Sequence, residues 1–178
     1  MVTVSTNVNS KVSEASDMIV ECLSSGNKVF TFGCGGQMAN AMHFAAELSG
    51  KFEKYEDPYP CVCLGTNVAE LTAIVNDFGW DVTFSRLIKA QVKPYDVVVG
   101  FSISGNGEYY TKALYTALDC RAKFISVIGS DGRGFGGRNT LTIKGNHAET
   151  PNHQEEQLHI IHTLCRQVKA TLKEAQHA

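Results

Sequence analysis

Lys28-Val-Phe-Thr-Phe-Gly-Cys-Gly-Gly36 joins a strand-sized apolar run to a glycine-rich turn, and that pairing sets the fold. Four further runs of the same size follow: Pro60–Gly65, Asp96–Ser102, Lys123–Gly129 and Thr140–Lys144. Most are apolar without alternation, the pattern of strands covered on both faces. Helical periodicities lie at both ends of the series. Val8, Val12, Ala15, Ile19 and Leu23 recur at steps of four and three, as do Leu158, Ile161, Leu164, Val168 and Leu172. Helix–strand alternation with short connections predicts parallel strands and right-handed crossovers. The expected fold is α/β, a three-layer sandwich with a five-stranded parallel sheet flanked by helices. Thr140, Thr142 and Lys144 alternate with apolar residues, which suits an edge strand. Neither a linker nor an internal repeat divides the 178 residues, so a single domain over 1–178 is expected.

Composition narrows the function. Sixteen Lys and Arg against eighteen Asp and Glu give a net charge of −2, and no basic run tracks a phosphate backbone, so nucleic acid is not an expected partner. No apolar stretch reaches the ~18–20 residues that a membrane helix needs. Glu14 and Asp17 fall where an export signal would carry its apolar block, which predicts a cytoplasmic protein with reduced cysteines. The six cysteines contain no C-x-x-C pair, and at least five read as small buried hydrophobes.

Glycine-rich turns follow three strands: Gly33-Cys-Gly-Gly36, Ser102-Ile-Ser-Gly-Asn-Gly107 and Gly129-Ser-Asp-Gly-Arg-Gly134. Beyond the carboxyl ends of parallel strands, helix N-termini offer free N–H groups to anions. Any one such loop is as well explained by a tight turn; two that open onto helices favour an anionic small molecule. A dinucleotide fingerprint fails, because Met38 stands at its third glycine and the second strand ends Leu64-Gly65 without an acidic residue. No P-loop motif is present.

Behind the first loop, Ala41-Met-His-Phe-Ala-Ala-Glu-Leu48 sets His43 and Glu47 about 40° apart around a helix and one turn along it. An imidazole and a carboxylate so placed can share a metal ion, act as an acid/base pair, or make only a surface hydrogen bond. Thr150-Pro-Asn-His-Gln-Glu-Glu-Gln-Leu-His-Ile-Ile-His162 opens the last helix with a capping Thr and a Pro at the first helical position. Spacing alone favours His159 with His162 as a ligand pair, since Gln154 and His162 stand roughly 12 Å apart along the axis. Val75-Asn-Asp-Phe-Gly79 reads as a polar island that interrupts a helical pattern, where Asp77 either stops the helix or holds an imidazole or a sugar hydroxyl.

In their order, Gly33-x-Gly-Gly, Ala41-Met-His-Phe-Ala-Ala-Glu-Leu, Asn76-Asp-Phe-Gly, Ser102-x-Ser-Gly-Asn and Thr150-Pro-x-x-Gln-Glu…His162 resemble the sedoheptulose 7-phosphate isomerases, the phosphoheptose isomerase branch of the sugar-isomerase (SIS) fold. The resemblance implies a metal-dependent aldose–ketose isomerase of a phosphorylated seven-carbon sugar, converting sedoheptulose 7-phosphate to D-glycero-D-manno-heptose 7-phosphate. It implies a homotetramer with active sites between subunits. A divalent metal, usually zinc, would be held by His43, Glu47, Gln154 and His162, which sets Gln154 ahead of His159. Glu47 is expected as base and His162 as acid. Gly35, Gly36, Gln37, Asn76, Asp77, Ser102, Ser104, Asn106 and Gln154 are expected to bind substrate.

Departures from the family pattern concentrate in the loops. Cys34 and Gln37 stand where the family usually has Asn and Ser, Ile103 and Gly107 where it has Thr and Ser, Lys51 for Arg, and Gln157 for His. Three hydroxyls are lost, each worth about 0.5–1.5 kcal/mol as a hydrogen bond and more to a charged acceptor. Two other readings stay open on that ground: a non-catalytic sugar-phosphate or protein-binding regulator, and an isomerase retuned to another sugar. The N-terminal helix also looks several turns short for the family.

Overall fold

The computed structural model describes residues 6–55 and 57–177; the first five residues of the stretch read for an export signal lie outside them. The strands β1 (Val29–Phe32), β2 (Cys61–Cys63), β3 (Val97–Phe101), β4 (Lys123–Ile128) and β5 (Thr140–Lys144) all fall inside the five apolar runs. They form one sheet in the order β2-β1-β3-β4-β5, with every neighbouring pair parallel. β5 is an edge, as its alternation predicts.

Among the described residues, six α-helices connect and flank the strands: α1 (Thr6–Ser24), α2 (Gly36–Ser49), α3 (Val68–Phe78), α4 (Thr83–Gln91), α5 (Glu108–Asp119) and α6 (Thr150–His177). One core layer gathers α1, α2 and α6 on one face of the sheet. Val12, Ile19, Phe44, Leu48, Ile161 and Leu164 are buried there against Val99 and Phe101. The other layer packs α4 and α5 through Phe84, Leu87, Tyr110 and Leu114 onto Phe32 and Phe124. Each fully buried side chain of this size contributes about 1.5–3 kcal/mol relative to exposure. β1, β3 and β4 carry apolar residues to both layers, which is why their sequences do not alternate.

Strand order reverses between β1 and β3, so a crevice opens beyond their carboxyl ends. The first glycine loop leaves β1 there and the second leaves β3. Fold order alone thus brings together the two loops expected to meet an anion. The Val75–Gly79 island needs correcting. It does not interrupt a helix: α3 runs through Asn76 and Asp77 to Phe78, and Gly79, with φ of 84°, ends it in a conformation that favours glycine.

Candidate metal centre

α2 leaves the first glycine loop with Asn40, Ala41, Phe44, Ala45 and Leu48 turned into the core. His43 and Glu47 ride the margin of that face, with His43 Nε2 3.2 Å from Glu47 Oε1. Across the groove, α6 presents His162, whose Nε2 stands 3.1 Å from His43 Nε2. Among the described residues, His43, Glu47 and His162 form the one group of metal-ligating His, Cys, Asp or Glu side chains, with ligand atoms within 4.8 Å of one another. His159 stands outside this group, so the pair that spacing favoured is not the pair the fold builds. His162 meets its partners from another helix.

The electrostatics suit a cation. Burial pushes the His162 imidazole below its usual range, and His43 beside it pushes the same way against the opposing pull of Glu47. Phe52 covers another side of the His162 ring at 5.7 Å between centroids. Two imidazoles and a carboxylate converge, a donor set suited to a divalent ion. A tetrahedral zinc with bonds of ~2.0–2.1 Å places its ligand atoms about 3.3 Å apart, close to the two separations observed here. The residues fit the ion without rearrangement of either helix.

Gln154 lies nearer the first loop. Its Nε2 donates to Gln37 Oε1 at 3.3 Å, and its side chain crosses Gly36 so closely that a Cβ there would fall 2.1 Å from Nε2. Gly36 is thus required for the approach of Gln154. Gln37 is itself buried, and its Nε2 has no hydrogen-bond partner among the described residues. In the second loop the Ser102 hydroxyl accepts from Gly105 N at 3.0 Å and the Ser104 hydroxyl accepts from Asn106 N at 3.4 Å. The third loop is stitched to the second by Gly129 N–H to Ile103 O and Arg133 N–H to Ser104 O. Gly35, Gly36, Ser102, Ser104 and Asn106 therefore line loops on either side of the switch in strand order.

Asn76 and Asp77 are placed differently. They sit exposed on the last turn of α3 and hydrogen-bond each other at 2.8 Å. A cluster that sequence reasoning missed lies beneath the site. Asn40 Nδ2 donates to Gln157 Oε1 at 2.9 Å, Gln157 meets His153, and Asn146 donates to the buried Glu156 carboxylate. Their signal was present in the sequence. His153 and Gln157 continue, at helical steps, the apolar stripe of Ile160, Ile161, Leu164 and Val168. Polar residues in core positions mark a buried network.

Comparison with known proteins agrees with this architecture. The SIS domain family matches residues 1–129. A phosphoheptose isomerase of Shewanella loihica is 35% identical over 164 residues, covering 90% of this chain and 83% of its own. The structure of a phosphoheptose isomerase from Francisella tularensis superposes with a TM-score of 0.85 at 28% identity, over 90% of this chain and 85% of that one. The corresponding structure from Neisseria gonorrhoeae gives 0.84 at 30% identity, over 90% and 86%. By its sequence and its fold, the chain belongs to the phosphoheptose isomerase family of SIS-domain proteins.

Proposed function

We propose that this sugar-phosphate isomerase converts sedoheptulose 7-phosphate to D-glycero-D-manno-heptose 7-phosphate, with residues 1–178 as one SIS domain. The observation that carries the reading is the convergence of His43, Glu47 and His162 beside two anion-suited loops. A divalent metal, zinc in the first instance, held by these three residues with Gln154 as fourth ligand, would polarise the carbonyl of the open-chain sugar. Glu47 takes a proton from C1 of the ketose and returns it to C2. His162 would give a proton to the oxygen on C2 and receive the one on the oxygen of C1, for which its Nε2 must leave the ion and carry that proton in turn, so protons balance over the turnover. A carboxylate has two oxygens, so Glu47 can bind through one and work as base through the other.

The phosphate is assigned to the second loop. A serine hydroxyl that accepts from its own loop still has its O–H to donate, so Ser104 keeps a donor for an anion, and Ser102 can offer one in exchange for its contact with the Tyr109 side chain. Asn106 and the loop amides complete that cradle, while Gly35, Gly36 and Gln37 take the sugar end. The retuned-isomerase reading is favoured by one observation, the buried Gln37 Nε2, without a partner among the described residues, at a position where the family has a short hydroxyl.

Asn76 and Asp77 are assigned to substrate through assembly. α3 carries no buried residue although its sequence is strongly apolar, and Val68 and Phe78 are 68% and 53% exposed. That supports a homotetramer in which another copy covers α3 and completes each site. Among the described residues no helix is long and apolar enough to cross a membrane. The cysteines are all unpaired, in keeping with a cytoplasmic protein.

Incubation of purified protein with sedoheptulose 7-phosphate and zinc, followed by NMR, tests the reading. Aldose signals are expected. Turnover of another sugar phosphate alone moves the answer to a retuned isomerase, and a chain that binds neither zinc nor turns over any sugar is a regulator.

A further inference from the structure

Gln157 is fully buried on α6, at the level where the two glycine loops meet the α2–α6 groove. Its Oε1 accepts from Asn40 Nδ2 at 2.9 Å. Its Nε2 lies 3.3 Å from Ser102 O, 3.3 Å from Val127 O and 3.0 Å from His153 Nε2. The orientation of this amide is fixed by its neighbours. Asn40 Nδ2 also donates to the Gln154 carbonyl at 3.1 Å, so the Asn40 end is a donor and must face an oxygen. The far end faces two backbone carbonyls, which accept only, so it must be the NH2 group. A flipped Gln157 would set an oxygen against two oxygens and a donor against a donor.

Each partner belongs to a different part of the site. Asn40 lies three residues before His43 on α2, about 4.5 Å along the axis. Gln157 lies five residues before His162 on α6, about 7.5 Å along it. Ser102 begins the second glycine loop, and Val127 is the last residue but one of β4 beside it. One side chain thus spans both helices that carry the ligand group and the strand end that launches the phosphate loop. No apolar residue of this volume could make these bonds, and removal takes a partner from buried polar groups on three elements, of which Asn40 keeps the Gln154 carbonyl and Val127 O keeps the Ser102 N–H.

We infer that Gln157 is a positioning residue that sets the spacing of the His43–Glu47 and His162 halves of the metal centre and, through the Ser102 carbonyl, the seat of the second glycine loop. The inference rests on the metal-site reading above. Partners behind metal ligands typically change affinity about 10–100-fold when lost.

The test compares wild type with Gln157→Leu, near in volume and without hydrogen bonds, and with Asn40→Ala, which removes the other end of the bridge. Zinc affinity is measured by competition with a chelating dye well below the unfolding temperature, with circular dichroism as the check on folding. Both variants are expected to bind zinc at least about 10-fold more weakly. At saturating zinc, Gln157→Leu is expected to raise KM for the sugar phosphate more than it lowers kcat. A purely structural role would lower Tm and leave zinc affinity and KM in place, and that result from either folded variant overturns the inference. If wild type binds zinc but isomerises no sugar, the activity reading fails and the zinc comparison still decides the role of Gln157. If wild type binds no zinc, the metal-site reading and this inference fall together.

Discussion

The α2–α6 pair and α3 stand on opposite sides of the first glycine loop and are built on opposite principles. Between α2 and α6 the groups at the bridge have partners within the chain: Asn40 and Gln157 join the helices, and Gln157 extends to two strand ends. His43 and His162 then face each other at 3.1 Å. α3 carries an apolar sequence with no residue buried, and its Asn76 and Asp77 bond only to each other among the contacts seen. An isolated helix of eleven residues is marginal in water, because nucleation is costly and packing supplies most of the stability. On the reading proposed above, one chain finishes the metal half of the site and leaves the half on α3 for another copy to cover.

The largest effect is expected at the finished half. Glu47→Gln keeps the volume and hydrogen-bonding capacity of the side chain but removes the base. Turnover should fall about 10³-fold, within the ~10²–10⁴ span of general acid–base catalysis, while circular dichroism stays unchanged. Normal turnover by this variant would show that α2 supplies a ligand only, and would blur the distinction between the two regions.

Phe78→Glu examines the unfinished half. The Arg86 guanidinium lies 3.6 Å from the centre of the Phe78 ring, so a carboxylate there finds a cation within its own chain. The fold should therefore survive. A face made to meet another copy would instead bury a charge, and the variant should lose mass by light scattering and at least about 10-fold in turnover, consistent with the ≥2 kcal/mol of an interface hot spot. Unchanged mass and turnover would mean that α3 is complete as it stands.

These regions also differ in how far the sequence discloses them. The strands and the helix faces were legible because apolar runs and steps of three and four are local patterns. His43 and Glu47 were legible for the same reason, being one turn apart. The partners of His162 were not, since spacing within α6 paired it with His159, and proximity across two helices leaves no trace in spacing; family resemblance supplied them. Gln157 and His153 escaped because polar letters on a helix read as surface, although they continue the buried stripe of Ile160, Leu164 and Val168. At Asn76 and Asp77 the polar letters suggested a break, whereas α3 continues to Phe78 and ends only at Gly79. Turn-forming residues lower helix propensity by a few tenths of a kcal/mol, which neighbouring turns override.

The smallest expected effect lies inside the buried network. Burial holds the His153 imidazole below its usual range, against the opposing pull of Glu156. Gln157 needs an acceptor at His153 Nε2, which the neutral ring supplies and the charged ring does not. The sign follows: the unfolded chain binds a proton at His153 more readily, so stability is full above the unfolded value near 6.5 and falls as pH drops from there toward the lowered folded value. The slope cannot exceed ~1.4 kcal/mol per pH unit for one group. His153→Gln retains an acceptor oxygen without the titration, so urea melts with chelator present should show a shallower loss between about pH 6.5 and 5. Equal slopes for variant and wild type would place the acid sensitivity elsewhere, with His162, also held below its usual range, the next candidate. The difference between the two regions would then rest on packing and hydrogen bonds, with no share from a buried histidine kept neutral.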